Sequence, residues 1–479
     1  MPSKRCCLEH LNPMTHRTIP IVPVSGRPAA DKIQVRSISG LFTRWRWAMV
    51  WITQLVYYGL PWLSWNGRQA VLFDLEASRF FLFGAVLYPQ DLIYLAGLLV
   101  ISALLLFFAT TVAGRVWCGF ACPQTVYTKL FMWLETHIEG DRSARMRLDK
   151  APWTSGEKLW RKGLKQFTWI SVALWTGFSF VGFFVPIRQL GAELLALHGS
   201  WQLFWIGLYS LATYGFAGYM REQVCKYMCP YARFQSAMFD KDTLVVTYDS
   251  QRGEPRGARS KKVVDYKAAG LGDCIDCSLC VQVCPTGIDI RNGLQYECIG
   301  CGLCVDACDS VMDKVQYPRG LIRFATQNGM AQRWSSAQML RRVLRPRVLL
   351  YGSVLLALSI AMLISLATRI PLKVDVVRDR AALARIVAGG QLENIYRLQI
   401  MNATEGVQRY RIAARGLEGL HVATDNEVEI GPAESRWVVV RLQLPFGAAP
   451  QGSHTVHFDV QALGDGAQVS EKSVFLVPR

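Results

Sequence analysis

The sequence predicts a multi-domain membrane protein: an α-helical transmembrane region of about five spans, a cysteine-rich insert, and a C-terminal all-β immunoglobulin-like sandwich. Three observations predict it. Apolar runs of span length recur along the chain, regularly spaced cysteines cluster between the later runs, and the pattern beyond residue 370 changes to period two. The 479 residues are enough for two or three units. At 51% apolar with 15 Trp, the chain is too polar to lie in a membrane throughout.

The spans are read at about residues 45–65, 92–112, 167–185, 201–219 and 348–368. A helix of about 20 residues covers the roughly 30 Å hydrocarbon core of a bilayer. The last run carries no charge and is the clearest. Trp45, Trp47, Trp62 and Trp65 flank the first, as interfacial aromatics do. No cleavable signal peptide is read; residues 1–44 are polar and basic, a flexible cytoplasmic tail.

Orientation follows from the loops. The net charge of +17 is concentrated between apolar runs. Arg142, Arg145, Arg147, Lys150, Arg161, Lys162 and Lys165 crowd the segment after span two, and Arg341, Arg342, Arg345 and Arg347 precede span five. Basic loops stay in the cytoplasm. The N-terminus and the cysteine-rich insert are therefore expected inside, in the cytoplasm, and residues 370–479 outside. Nucleic-acid binding is excluded as a main role, because the basic residues track topology. The expected borders are spans one to four at 45–220, a cytoplasmic region at 221–346 and the last span at 347–369.

In the C-terminal part Val440, Leu442 and Leu444 alternate with Arg441 and Gln443, and Val456, Phe458 and Val460 with His457 and Asp459. Turn signals such as Gly431-Pro432 separate six or seven such runs, the pattern of a sandwich.

Within the insert, at about 265–315, the spacing Cys274-x2-Cys277-x2-Cys280-x3-Cys284-Pro285 is followed by Cys298-x2-Cys301-x2-Cys304-x3-Cys308. This is the pattern of a ferredoxin with two 4Fe-4S clusters, in which the fourth Cys of each run ligates the other cluster. One cluster is assigned Cys274, Cys277, Cys280 and Cys308; the other takes Cys298, Cys301, Cys304 and Cys284. Two zinc knuckles built from the same thiols are the weaker reading of this spacing. Asp309 stands where the second run lacks its proline. Gly287, Gly300 and Gly302 allow close backbone approach, while Asp273, Asp276, Asp306 and Asp309 read as solvated surface.

A second motif is repeated. Cys118-x3-Cys122-Pro123 follows span two, and Cys225-x3-Cys229-Pro230 follows span four. On a helix each pair shares a face, and the proline marks a strained, kinked or ending helix. Arg115 and Arg221 lie one turn earlier, where a cation favours thiolate. Thiolates suit Cu(I), zinc or iron–sulfur centres, so the four residues are candidates for a metal or redox site at the membrane edge. Buried structural cysteines are the alternative. Cys6 and Cys7 sit in the tail and read as incidental. His137 reads as solvated or hydrogen-bonded, not as a ligand.

This order of spans, paired C-x-x-x-C-P motifs, eight-cysteine module and outer strand domain resembles the CcoG family, also called FixG or RdxA, the cytochrome c oxidase accessory proteins. Arg68-Gln69-Ala70-Val71-Leu72-Phe73-Asp74, Trp117-Cys118-Gly119, Cys298-Ile299-Gly300-Cys301 and the run from Tyr396 to Asn402 look like the family. The resemblance implies an inner-membrane protein serving assembly of a cbb-type haem-copper oxidase. It implies reduction of Cu(II) to Cu(I), with Cys118, Cys122, Cys225 and Cys229 as the copper-handling residues. Oxidase subunits or copper chaperones would be its partners. The electron donor is unnamed, and the oligomeric state, a homo-oligomer included, is left open. The rivals are a quinol-linked electron carrier like the NapH family and a non-catalytic assembly scaffold or redox sensor.

Overall fold

The computed structural model describes residues 33–196, 199–259, 266–267, 270–379 and 384–478. Cys6 and Cys7 lie outside the described residues. Five helices fall near the expected spans: α1 (Leu41–Gly59), α2 (Leu92–Ala113), α3 (Gly156–Val181), α4 (Ser200–Thr213) and α5 (Pro346–Ala367). Among the described residues, the two helices Pro89–Ala113 and Pro346–Ala367 combine the length and apolarity of a span. The other three do not, for local reasons. Helix α1 carries Arg44 and Arg46 and stops at Gly59, short of Trp65. Helix α3 starts in charged sequence well before residue 167. Helix α4 ends at Thr213, where the chain widens into π-helical turns over Tyr214–Met220.

The chain divides into two compact units. One contains the described residues up to Thr53, Leu106–Val172 and Ala212–Leu349; the other contains Gln54–Leu105, Ala173–Leu211 and the residues from Leu350 onward. The division falls inside every one of α1 to α5.

The first unit holds all twelve described cysteines. The strands Val245–Tyr248 and Ile322–Ala325 pair antiparallel, and Val246, Tyr248, Leu321 and Ile322 share a core with Cys274 and Cys280. The helix Pro123–Glu139 carries a buried pair of acids on one face, Glu135 and Glu139, four residues apart. Glu135 meets Arg221 at 2.9 Å and Arg145 at 3.2 Å, while Glu139 meets Lys165 at 2.8 Å and Lys162 at 3.0 Å. Several cations read from sequence as loop charge therefore balance two buried carboxylates. The Trp169 ring lies between the cationic groups of Arg221 and Lys165, at 5.4 and 4.9 Å from its centre.

Two of the four aspartates expected on the surface are buried. Asp306, 6% exposed, accepts hydrogen bonds from Phe42 N at 3.1 Å, Thr43 N at 2.7 Å and Thr43 Oγ1 at 2.9 Å. It thus satisfies amides in the first turn of α1, which have no acceptor within the helix. Asp273 is held by Arg252 and by Tyr266 Oη at 2.7 Å. Asp276 is exposed and bonded to Arg291, and Asp309 accepts from Gly320 N at 2.9 Å.

The second unit contains the sandwich. Nine described strands form a five-stranded and a four-stranded sheet, more than the six or seven expected. Arg385–Val387 and His421–Val422 are too short to display an alternation in sequence. The alternating residues behave as their period requires: Val440, Leu442, Val456, Phe458 and Val460 are fully buried. Tyr396 reaches between the sheets to Val474 O at 2.9 Å, and Asn394 brackets Leu476 with two hydrogen bonds. The segment after α1 is more than a connecting loop. Val71–Asp74, Arg79–Leu82 and Ala85–Leu87 form a meander whose Leu72, Phe81, Val86 and Tyr88 pack on Met401, Ala403 and Ala433. Arg68 pairs with Glu405 at 2.7 Å.

Asp306→Ala is expected to destabilise the protein by about 1–3 kcal/mol, because buried donors lose their acceptor. Exposed Asp276→Ala should stay within about 0.5 kcal/mol. Denaturation of both variants in the same detergent gives the comparison. Glu135→Gln leaves buried guanidinium groups short of a counter-charge and should cost about 3–5 kcal/mol, the range for breaking a buried pair. A wild-type melting temperature for that variant would show the network to be dispensable.

Candidate metal centres

The two runs of the insert share one local geometry. Ile275-Asp276-Cys277-Ser278-Leu279 aligns with Ile299-Gly300-Cys301-Gly302-Leu303. Asp276, Ser278, Gly300 and Gly302 all have positive φ, at 51°, 52°, 65° and 72°. Each run thus coils through left-handed turns before a helix begins at Leu279 or Leu303. The first run does this with side chains that resist it; the second uses glycine, where a Cβ on Gly302 would sit 2.5 Å from the Phe42 ring.

These turns bring the thiols into two groups. Cys274, Cys277, Cys280 and Cys308 line one small cavity, closed by Tyr248 and Leu321. Cys284, Cys298, Cys301 and Cys304 line the other, with Val246 and Ile288, and Cys280 at its edge. The fourth cysteine of each run lies with the first three of the other run. Soft sulfur donors in fours, walled by apolar side chains, fit iron–sulfur clusters. Burial pushes the Cys298 and Cys308 thiols up to about 12, with neighbouring thiols adding to the effect. Loading such a site displaces protons.

The C-x-x-x-C-P pairs are built alike. Cys118 lies in the short helix Val116–Phe120 and Cys225 in the π-helical turn Val224–Met228. Cys122 and Cys229 are extended N-cap residues, and Pro123 and Pro230 open the next helices. Each motif is a helix end followed by a helix start, because proline at the first position has no amide to lose. The two cysteines of a pair therefore do not share one helical face.

The four thiols converge. Cys118 and Cys122 both feel Cys229, and Cys225 feels Cys118, Cys122 and Cys229. Burial pushes Cys118 up to about 11 and Cys225 up to about 12, outweighing the opposing Arg115 charge. Arg115 acts on Cys118 in the expected direction, against the larger effect of burial, while Arg221 is bound to Glu135. Among the described residues no three Cys, His, Asp or Glu side chains approach closely enough to grip a single metal ion. The ferredoxin quartets share that wider spacing.

This quartet adjoins the insert. Cys118 packs in one apolar cluster with Ile299, Cys301 and Leu303. A Cβ on Gly119 would sit 2.9 Å from the carbonyl oxygens of Ile299 and Gly300. Arg115 donates to Tyr296 O and Cys298 O and, through Nε, to Gln235 Oε1 at 2.8 Å; the Cys118 thiol is 3.4 Å from the same oxygen. Gln235 is fully buried and was not recognised from sequence; its only signal is its place six residues after Cys229. His137 is hydrogen-bonded: its Nδ1–H donates to Trp133 O at 2.9 Å.

Family models match three stretches: a 4Fe-4S dicluster domain over residues 220–327, a 4Fe-4S binding domain over 95–139, and the IG-like fold at the C-terminus of FixG over 362–478. The chain is 38% identical to the nitrogen fixation protein FixG of Rhizobium meliloti, covering 86% of this chain and 84% of that one. It is 40% identical to protein RdxA of Cereibacter sphaeroides, covering 87% and 89%. Protein RdxB of the same organism is 38% identical, covering 92% and 95%. Among solved structures, a FixG-related protein from Vibrio parahaemolyticus aligns with 22% of this chain and 95% of its own, at 24% identity and a TM-score of 0.21. Similarity at this level over most of each relative's length means that the chain belongs to the CcoG/FixG/RdxA family of iron–sulfur membrane proteins.

Proposed function

We propose that this protein reduces Cu(II) to Cu(I) for assembly of the copper centre of a cbb-type oxidase. The carrying observation is the shared wall between the Cys118–Gly119 segment and the Ile299–Cys301 loop. On this reading one 4Fe-4S cluster is held by Cys274, Cys277, Cys280 and Cys308, and the other by Cys284, Cys298, Cys301 and Cys304. When bound, such clusters accept and pass on single electrons. Copper is the substrate, met transiently by Cys118, Cys122, Cys225 and Cys229. Soft sulfur favours the reduced ion, and a substrate that must leave needs no tight preformed cage. A one-electron reduction requires no acid–base pair. Oxidase subunits or a copper chaperone would dock to take the product.

The proposed topology has five crossings of a bacterial inner membrane, with the cysteines in the cytoplasm and the sandwich in the periplasm. Its support is the way the chain alternates between the two units inside each of five successive helices. Basic loops fall in the unit with the cysteines.

Cluster-reduced protein mixed anaerobically with Cu(II) should release Cu(I) to a chelator. Cys118→Ala and Cys225→Ala should slow that release by about 10–100-fold, the scale of losses when a metal site is disturbed. Unaltered rates in both variants reject the thiol role, and no turnover in wild type favours the assembly scaffold.

A second reading is favoured by the 4Fe-4S binding model over residues 95–139, a stretch whose cysteines are Cys118 and Cys122 alone. Those two, completed by Cys225 and Cys229, would hold a third cluster. Iron analysis separates the two: about 8 Fe per chain for two cubane clusters, about 12 for three.

A further inference from the structure

A cavity of about 350 Å³ opens in the first unit beside the cysteines. That is the size of small-molecule sites, which range over about 300–1,000 Å³, and far more than an ion requires. One wall is a helical stripe on Pro123–Glu139, where Lys129, Trp133 and His137 recur every four residues. Arg46 and Trp47 of α1 form a second wall. The floor is made by Cys225, by Pro285, which follows Cys284, and by Ile299, which follows Cys298. A molecule here would therefore lie beside both the proposed copper-handling thiols and one proposed cluster site.

The lining chemistry narrows the occupant. Trp47 and Trp133 meet edge to face with centres 5.8 Å apart, offering flat apolar surface. The Lys129 ammonium sits 5.1 Å from the centre of the Trp47 ring and, among the described residues, has no hydrogen-bond or ion-pair partner. Arg46 is buried beside it, and Arg46 Nε is spent on Gly119 O at 3.0 Å. Glu222 lines the same cavity, so the charge there is mixed, and the Lys129 ammonium is the group that favours electron-rich oxygen. Burial and Arg46 lower Lys129 to about 8, so it stays largely charged at neutral pH. His137 gives its Nδ1–H to Trp133 O, which leaves Nε2 as a proton acceptor, and its side chain is exposed. Trp133 is 39% exposed, and Trp45 and Trp51 of α1 are 59% and 60% exposed. Exposed indoles are the side chains of a membrane interface, so a cavity walled by these two helices suits a lipid-soluble ligand.

We propose that this cavity binds the headgroup of a membrane quinol, the electron donor for copper reduction, with Lys129 facing a ring oxygen and Trp47 and Trp133 facing the ring. The donor role rests on the copper-reduction reading; the binding site does not. In the overall exchange one quinol loses the hydrogens of its two O–H bonds and becomes quinone. Its two electrons reduce two Cu(II) to two Cu(I), and two protons leave, His137 Nε2 relaying them to water.

The test uses the full chain in detergent and a photoreactive azidoquinone with a short tail. Label should appear in peptides from Pro123–Glu139 or from 43–47 and be displaced by excess unlabelled quinol. Lys129→Met should lower labelling by about tenfold, as loss of a charged hydrogen-bond donor does, with Lys129→Arg retaining most of it. Iron and sulfide contents report that each variant has folded. Label spread over the chain, label insensitive to quinol, or equal labelling of Lys129→Met overturns the proposal. So does displacement by a flavin nucleotide but not by quinol. Chelator-trapped Cu(I) from dithionite-reduced wild type tests the function separately, so either reading can fail alone.

Discussion

Gly119 sets the distance between the two kinds of sulfur site. Its missing side chain lets the Cys118 segment lie against the carbonyl groups of Ile299 and Gly300. Any Cβ there would push the two loops apart, and electron movement weakens steeply with such separation. Around this contact Arg115 takes the carbonyls of Tyr296 and Cys298, and Gln235 bridges Arg115 and Thr110. Thr125 Oγ1 donates to Cys118 O at 2.6 Å. In a poorly solvated junction, each unsatisfied group costs more than a hydrogen bond gains, so these bonds help to specify how the two loops meet.

Burial has a second effect at the same place. Thiols in apolar surroundings hold their protons, and the helix ends and cations nearby do not reverse this. On the proposed reading the quartet, with Cys118, Cys122 and Cys225 holding their protons, waits for a soft cation. Its selectivity then comes from sulfur chemistry and access, not from a standing negative charge that would draw any dication. The arginines serve the scaffold: Arg221 and Arg145 close on Glu135, and that network anchors the helix carrying Pro123.

What could be read from the sequence was local. Cluster ligands announce themselves because a cubane needs thiols at fixed short intervals along the chain, and even the exchanged fourth ligands follow from that spacing. Val440, Leu442 and Leu444 are legible because a strand with one buried face has period two. What escaped depends on partners far apart in the chain. Asp306 reads as a surface acid in a charged neighbourhood, and only the approach of residues 42 and 43 makes it a helix cap. Glu135 and Arg221 are 86 residues apart. The meander from Val71 to Leu87 escaped because its strands are short and its apolar face finds its cover far along the chain, at Met401 and Ala403.

On the proposed reading, the cavity and the thiol quartet form complementary halves of one redox problem. A reductase for a cation must keep its oxidised substrate away from its reductant, or the two react without the protein's control. Lys129 and Arg46 favour that separation by charge, with Glu222 on the same lining acting against them: a dication close to the two cations is disfavoured, while a quinol oxygen gains from them. Cys225 belongs to both neighbourhoods, lining the cavity and sensing the other three thiols. On that reading, a single residue shared between the donor cavity and the acceptor thiols makes the path for electrons short.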